Sequence, residues 1–255
     1  MKVNGVVKQW RFPEASERQF SRSIQEAIRD LVVLMRKRTK AMKFDATDNE
    51  INSAEDEINS LATDLIAGIV STLPAIALTI YKFNAKQFIN VAKSTGGKDN
   101  TAVIVLIAVG ANANEEWYQT LYGQWHGLTE SSLRKLFTNI VSDWSTNIRN
   151  ANFRGSDDKQ VNDLAEKRFA VYSSWGKTRS ENIIGAWNSR LMRQRLYDAK
   201  VTHYFWHGML DDRERLQHVL WEGKRIALDA IHDFPGEPWG CRCWAIPDWN
   251  NKESD

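Results

Sequence analysis

The chain has 255 residues, of which 42% are hydrophobic and 26% charged, with a formal net charge of +2. That is the balance of an ordinary soluble globular protein with one sizeable core or two smaller ones, and it supplies no global field for nucleic acid or an anionic membrane. Only two cysteines occur, both near the C-terminal end, and the first residues lack a signal-peptide layout; a secreted disulfide framework is therefore excluded and a reducing compartment expected.

The first half predicts helices. Pro13 sits where a helix can start without losing a needed N–H. Phe20, Ile24, Ile28, Leu31 and Met35 then recur at three- and four-residue steps as one apolar stripe. Arg36, Lys37, Arg38, Lys40 and Lys43 close that helix, five positive charges in eight residues. They complement the helix dipole, and they could also give weak, sequence-independent phosphate binding; a solvated helix end or an acidic protein partner fits them equally well.

Thr47 and Glu50 have the spacing of a capping box, and Ile51, Ile58, Leu61 and Leu65 form the next stripe. Leu65 to Tyr81 carries no charge over 17 residues, the lower edge of a membrane span, which needs about 20. Gly68, Ser71, Thr72 and Thr79 dilute the run, and Asp64 and Lys82 bracket it. A buried helix broken at Pro74 is the expectation, with no membrane partner. After Gly96-Gly97, "TAVIVLIAVG" reads as a helix or a buried strand.

Thr129 is placed to cap a helix with Leu133, Leu136, Phe137, Ile140, Val141, Trp144 and Ile148 on one face. "RGSDDKQ", from Arg154 to Gln160, is a polar turn and the expected boundary. Two helical stretches run from there to about Lys200, the second with Ile183, Ile184, Trp187 and Leu191. "VTHYFW", Val201 to Trp206, switches to β-branched and aromatic residues, a strand. Short elements and turns such as Pro235-Gly236 follow. The expected class is α+β: a mainly helical N-terminal region, 1–153, and a small α+β C-terminal module, 154–255. Eleven tryptophans suit a Trp-rich core or surfaces covered by partners.

The chemistry-bearing residues gather in the last part of the chain. Asp211, Arg213 and Arg215 fit a polar network, since a guanidinium fork takes up a carboxylate and fixes loop geometry; phosphate contact is the rival, opposed by Asp211, Asp212 and Glu214. His218 and His232 suit ligands, general bases or hydrogen-bonded core histidines. With Cys241 and Cys243 they make four candidate Zn²⁺ donors, although Cys-x-Cys is tighter than the usual structural zinc spacing. A disulfide across so short a ring strains its dihedral. No phosphate loop, nucleophile elbow or paired-metal pattern accompanies the cluster.

The order of these residues resembles a known family. Trp206 is followed by Asp211-x-Arg213-x-Arg215, then His218, Gly223-Lys224, Pro235-Gly236-Glu237 and Cys241-Arg242-Cys243. Upstream, Arg179, Glu181 and Asn188 and the stretch "MRQRLYDAKV" look like the helical lead-in. From about Trp175 to Pro247 this is similar to the phage Mu F-like head morphogenesis, or minor head, proteins. Glu214 stands where the family usually has an apolar residue, and Gly208 where Thr is common.

The resemblance implies a non-enzymatic virion protein of low copy number. It would lie in the head interior or near the portal, and in the host cytoplasm during assembly. Its partners would be portal and capsid or scaffold components and, non-specifically, phage DNA, with no cofactor other than a conceivable Zn²⁺. The alternative is a metal-dependent hydrolase, nuclease or toxin-type, built on the His/Cys/Asp cluster.

Overall fold

The computed structural model describes residues 10–41, 47–96, 99–100, 104–105, 107–108, 115–150 and 157–249. Among the described residues five long helices precede a small sheet: α1 (Glu14–Ala41), α2 (Asp48–Ser71), α3 (Leu73–Gly96), α4 (Glu116–Asp143) and α5 (Asp158–Asp198). Then come β1 (His203–His207), the short helix α6 (Leu216–Trp221), β2 (Arg225–Ala227) and β3 (Trp244–Pro247). The expected class holds: helices first, then a small α+β module.

The chain forms two compact units. One comprises residues up to 16, 75–123 and everything from 182 onward; the other comprises 17–74 and 124–181. The expected boundary at 153/154 lies outside the described residues, as does Lys43.

In the second of these units the α1 stripe is the core, with Phe20, Ile24, Ile28, Leu31 and Met35 all buried. Thr47 and Glu50 form the expected capping box, which starts α2. The α2 stripe lies to one side of the expected one: Ala54, Ile58, Ala62, Ile66 and Ile69 are buried, whereas Ile51, Leu61 and Leu65 are only half-buried. Leu133, Leu136, Phe137, Ile140, Trp144 and Ile148 are buried as expected, and only Val141 is half-exposed. Beyond Asp143 the backbone becomes π-helical over Trp144–Arg149. At that junction Asp143 accepts from Arg168 Nε at 2.7 Å and from the Tyr172 hydroxyl at 2.6 Å.

Two expectations about helix ends are corrected. Thr129 is no cap; it is buried inside α4, which starts at Glu116. Tyr118 and Trp125 carry the buried face N-terminal of it, so packing extends the helix. The two stretches before Lys200 are one 41-residue helix, α5. Gly176 lies within it, where an added Cβ would stand 2.6 Å from Ile28 Cδ1, so the glycine permits that close approach.

The uncharged run does break near Pro74. α2 ends at Ser71, the Thr72 N–H bonds Ile69 O at 3.0 Å, and α3 restarts at Leu73. Pro74 falls in the first turn, where no N–H is needed. By length and composition Asn49–Gly96 would suffice to cross a membrane. Within the uncharged run, Ile66, Ile69, Leu73, Ile76, Ile80 and Tyr81 are buried, Leu65, Val70 and Leu78 are half-buried, and Ala67, Gly68, Ser71, Thr72, Pro74, Ala75 and Thr79 are exposed. The large apolar residues thus form one buried stripe, and small or polar residues fill the opposite face.

In the other unit the sheet has the order β2-β1-β3 with both pairs antiparallel. Alternation along β1 buries Tyr204 and Trp206 and leaves His203, Phe205 and His207 half-exposed. The core beneath them combines Trp10, Phe88, Val91, Met192, Leu196 and Phe234. Trp187 Nε1 bonds Ala77 O at 3.1 Å and Trp10 Nε1 bonds Ala245 O at 3.1 Å. Of the eleven tryptophans, Trp10, Trp125, Trp144, Trp187 and Trp206 are buried, Trp117, Trp175, Trp221, Trp244 and Trp249 are half-buried, and Trp239 is exposed.

Candidate functional site

The site is built where β1, α6 and the segment before β3 meet. Trp206, buried on the central strand, is the floor. Its ring lies 5.0 Å from that of His218 and 4.7 Å, edge-on, from that of Trp221. The backbone of Trp206 pairs beyond β2, its N–H with Lys224 O at 3.0 Å and its carbonyl with the Gly223 N–H at 2.8 Å. Gly223 has φ +70°, so glycine turns the chain out of α6 and into the ladder.

The loop between β1 and α6 is held by carboxylates. Asp211 pairs with Arg242 at 2.5 Å and takes the Arg213 backbone N–H at 3.1 Å. Arg215 donates to the Trp239 carbonyl. The expected polar network exists, but Asp211 finds its guanidinium in Arg242 across the loop rather than in its neighbours Arg213 and Arg215. The Arg242 bond holds the Asp211 carboxyl below the usual range. Glu222, unremarked in the sequence, binds His207 Nδ1 and the Gly208 N–H, each at 2.7 Å.

Pro235-Gly236 makes the opposing turn. Glu237 N–H bonds Phe234 O at 3.0 Å, and Gly236 has φ +84°, the Pro-then-Gly pattern of a type II turn. Ser189 on α5 donates to Pro235 O at 2.5 Å. The chain then turns again at Gly240, whose N–H bonds Asn182 Oδ1 at 2.6 Å. Both turns are thereby fastened to α5.

These turns bring Cys241 and Cys243 to His218. His218 Nδ1 lies 3.6 Å from Cys241 Sγ and 3.4 Å from Cys243 Sγ, and the three donor atoms all lie within 4.8 Å of one another. His232, the fourth candidate donor, does not join this group. Its Nδ1 donates to Asp233 O at 2.8 Å, and its ring packs on Trp221 at 5.0 Å. It is a packed histidine. Glu214 takes a place the sequence reading did not give it: its Oε1 accepts from Cys243 Sγ at 2.9 Å and its Oε2 from the Leu210 N–H at 2.5 Å. The only sign in the sequence was a charge where an apolar residue is usual.

Both cysteines are free thiols. A hydrogen bond from Cys243 draws the Cys241 pKa down to about 7 against the effect of burial, helped by the N–H groups of Cys243 and Gly236 and by Arg215. Cys243 is pushed up, because its proton is held by Cys241 and Glu214 and its sulfur is buried. His218 is lowered by burial and then by Arg215, which favours neutral imidazole. A cleft of about 240 Å³ opens onto the group, bordered by Met209, Arg213, Glu214, Arg215 and Trp239. Chemically, the arrangement offers a soft S₂N donor set and one activated thiol.

No family model, curated protein or solved structure matches the chain.

The basic run belongs to the other compact unit. Arg36 pairs with Glu166 and lies 4.9 Å over the Phe169 ring, and Arg38 pairs with Glu57. Lys37 and Lys40 are exposed.

Proposed function

We propose that this chain is a phage minor head protein of the Mu F-like kind, non-enzymatic and present in few copies per particle. It would act in head assembly or DNA ejection from the head interior or the portal vicinity. One observation carries the reading. The residues of the resemblance, scattered from Trp206 to Cys243, meet around one polar clasp: Trp206 under His218, Asp211 on Arg242, Gly223 in the ladder, Gly236 against Cys241. Each of these has a structural task, which suits a family defined by a fold-fixing motif. Portal and capsid or scaffold proteins are its partners in this reading, and DNA a non-specific one through the α1 terminus.

The test is location. Particles made by the encoding genome, purified on a gradient, should contain this chain together with the portal protein. A chain found only in the soluble lysate would refute the proposal.

A second reading, a metal-dependent hydrolase of nuclease or toxin type, is favoured by one feature: the Glu214 carboxylate stands beside the Cys/His group at an open cleft. Cleavage of DNA or RNA with Mg²⁺, Mn²⁺ or Zn²⁺, lost in Glu214→Gln, would establish it. Inactivity with all three metals would remove it.

A further inference from the structure

We propose that His218, Cys241 and Cys243 bind one Zn²⁺ ion, with the fourth coordination position facing the cleft. The inference stands on the geometry of these side chains and is independent of where the protein acts.

The distances carry it. Zinc binds thiolate at about 2.3 Å and imidazole at about 2.0 Å in tetrahedral sites, so an N–Zn–S corner places nitrogen about 3.5 Å from sulfur. The two separations here, 3.6 Å and 3.4 Å, bracket that edge. Both involve the same ring nitrogen, Nδ1, and all three donor atoms lie within 4.8 Å of one another, which brings them within reach of one ion. The tight Cys-x-Cys spacing is no obstacle, because residues two apart in chain leading into a strand point to the same side.

The surroundings match what a zinc thiolate needs. The Gly236 N–H donates to Cys241 Sγ at 3.3 Å, the type of outer contact that orients a ligand and offsets its charge. Rings on two sides hold the imidazole: Trp221 stacks at 15° and 5.8 Å, and Trp206 lies beneath it. His218 and Cys243 are buried and Cys241 is half-buried, so the donors are shielded while the cleft leaves a path for the ion. Two sulfurs and one imidazole select zinc over hard cations such as Mg²⁺ or Ca²⁺.

The balance of the step is simple. Two thiols lose their protons to solvent, neutral His218 supplies a lone pair, and a water fills the fourth position, giving up to two protons released per ion. Glu214 Oε1, now accepting the Cys243 proton, is left to accept a hydrogen bond from that water.

The experiment uses the full-length chain, purified under reducing conditions, stripped with chelator and titrated with Zn²⁺ alone. One equivalent should bind with proton release, and Co²⁺ in its place should give the intense thiolate-to-metal absorption of a tetrahedral site. His218→Ala, Cys241→Ser and Cys243→Ser should each lose the bound equivalent, while His232→Ala keeps it. Circular dichroism checks that the variants fold. Should they not, the Co²⁺ spectrum of the unaltered chain decides alone. Absence of thiolate absorption, stoichiometry well below one, or zinc retained by the folded Cys241→Ser protein overturns the proposal. So does an intact mass two hydrogens short in the freshly isolated chain, which would mean that the pair is an oxidised disulfide.

Discussion

The backbone N–H of Gly236 points at Cys241 Sγ from 3.3 Å, and that contact ties the Pro235 turn to the cysteine pair. It requires a backbone that only glycine adopts without strain, with φ +84°. An added Cβ would also stand 3.2 Å from Ser189 Oγ. Gly236→Ala should therefore cost about 2 kcal/mol, strain and crowding together. Gly240, at φ +71°, has open space around its Cβ position, so Gly240→Ala should show strain alone, about 1 kcal/mol. Urea unfolding of the two variants checks the ordering. Equal losses would mean that the Ser189 contact is unimportant.

The two thiols should differ in reactivity. In metal-free protein iodoacetamide should label Cys241 first, since its pKa is drawn down to about 7 while Cys243 is pushed up and more buried. Labelling should slow as pH falls below about 7, following the thiolate. The sign for stability runs the same way. A thiol lowered by the fold adds stability fully present above its ordinary value of about 8.5 and lost as pH falls through the lowered one. Peptide mapping after brief alkylation is the measurement, and preferential labelling of Cys243 would contradict it.

Arg195 is the most demanding charge in the core. It is 2% exposed, pairs with Glu115 at 3.2 Å, donates to Asn84 Oδ1 at 2.9 Å and lies 4.7 Å over the Tyr81 ring. Burial lowers its pKa, and Glu115 opposes that. Glu115→Leu should cost about 3 kcal/mol by leaving the guanidinium buried without its carboxylate. Adding Arg195→Met should restore part of that loss, because two apolar residues avoid the desolvation of both charges. A double variant less stable than the single one would show that the ion pair itself stabilises the unit.

Much of this was legible in the sequence, for identifiable reasons. The stripe from Phe20 to Met35 and the Thr47/Glu50 box follow from helical periodicity and capping, which are local. Thr129 and the length of α5 were not legible. A cap residue reads the same whether it starts a helix or is buried in one, and Gly176 becomes a packing device only once Ile28 is opposite. At the site, residue types identified the donors. The choice among them depended on long-range geometry: the Pro235 turn carries the cysteines to His218, while the neighbouring His232 turns to Trp221 and the Asp233 carbonyl. Asp211 chose Arg242 for the same reason.

The basic end of α1 is less available than its count of charges suggests, because Arg36 and Arg38 are engaged by Glu166 and Glu57. Salt-dependent binding to duplex DNA should therefore depend on Lys37 and Lys40 more than on the arginines. Lys37→Glu with Lys40→Glu should abolish it. The slope of affinity against salt should correspond to only about two or three phosphates. Binding that survives this double reversal, or ignores salt, would remove DNA from the account.

The most direct measurement is a count of this chain in purified particles by quantitative mass spectrometry, against the portal and major capsid proteins of the same particles. A minor head protein should be present in every head preparation, at a number comparable to or below that of the portal subunits and far below the capsid protein. Absence from particles, or an abundance equal to the capsid protein, would contradict the proposed function.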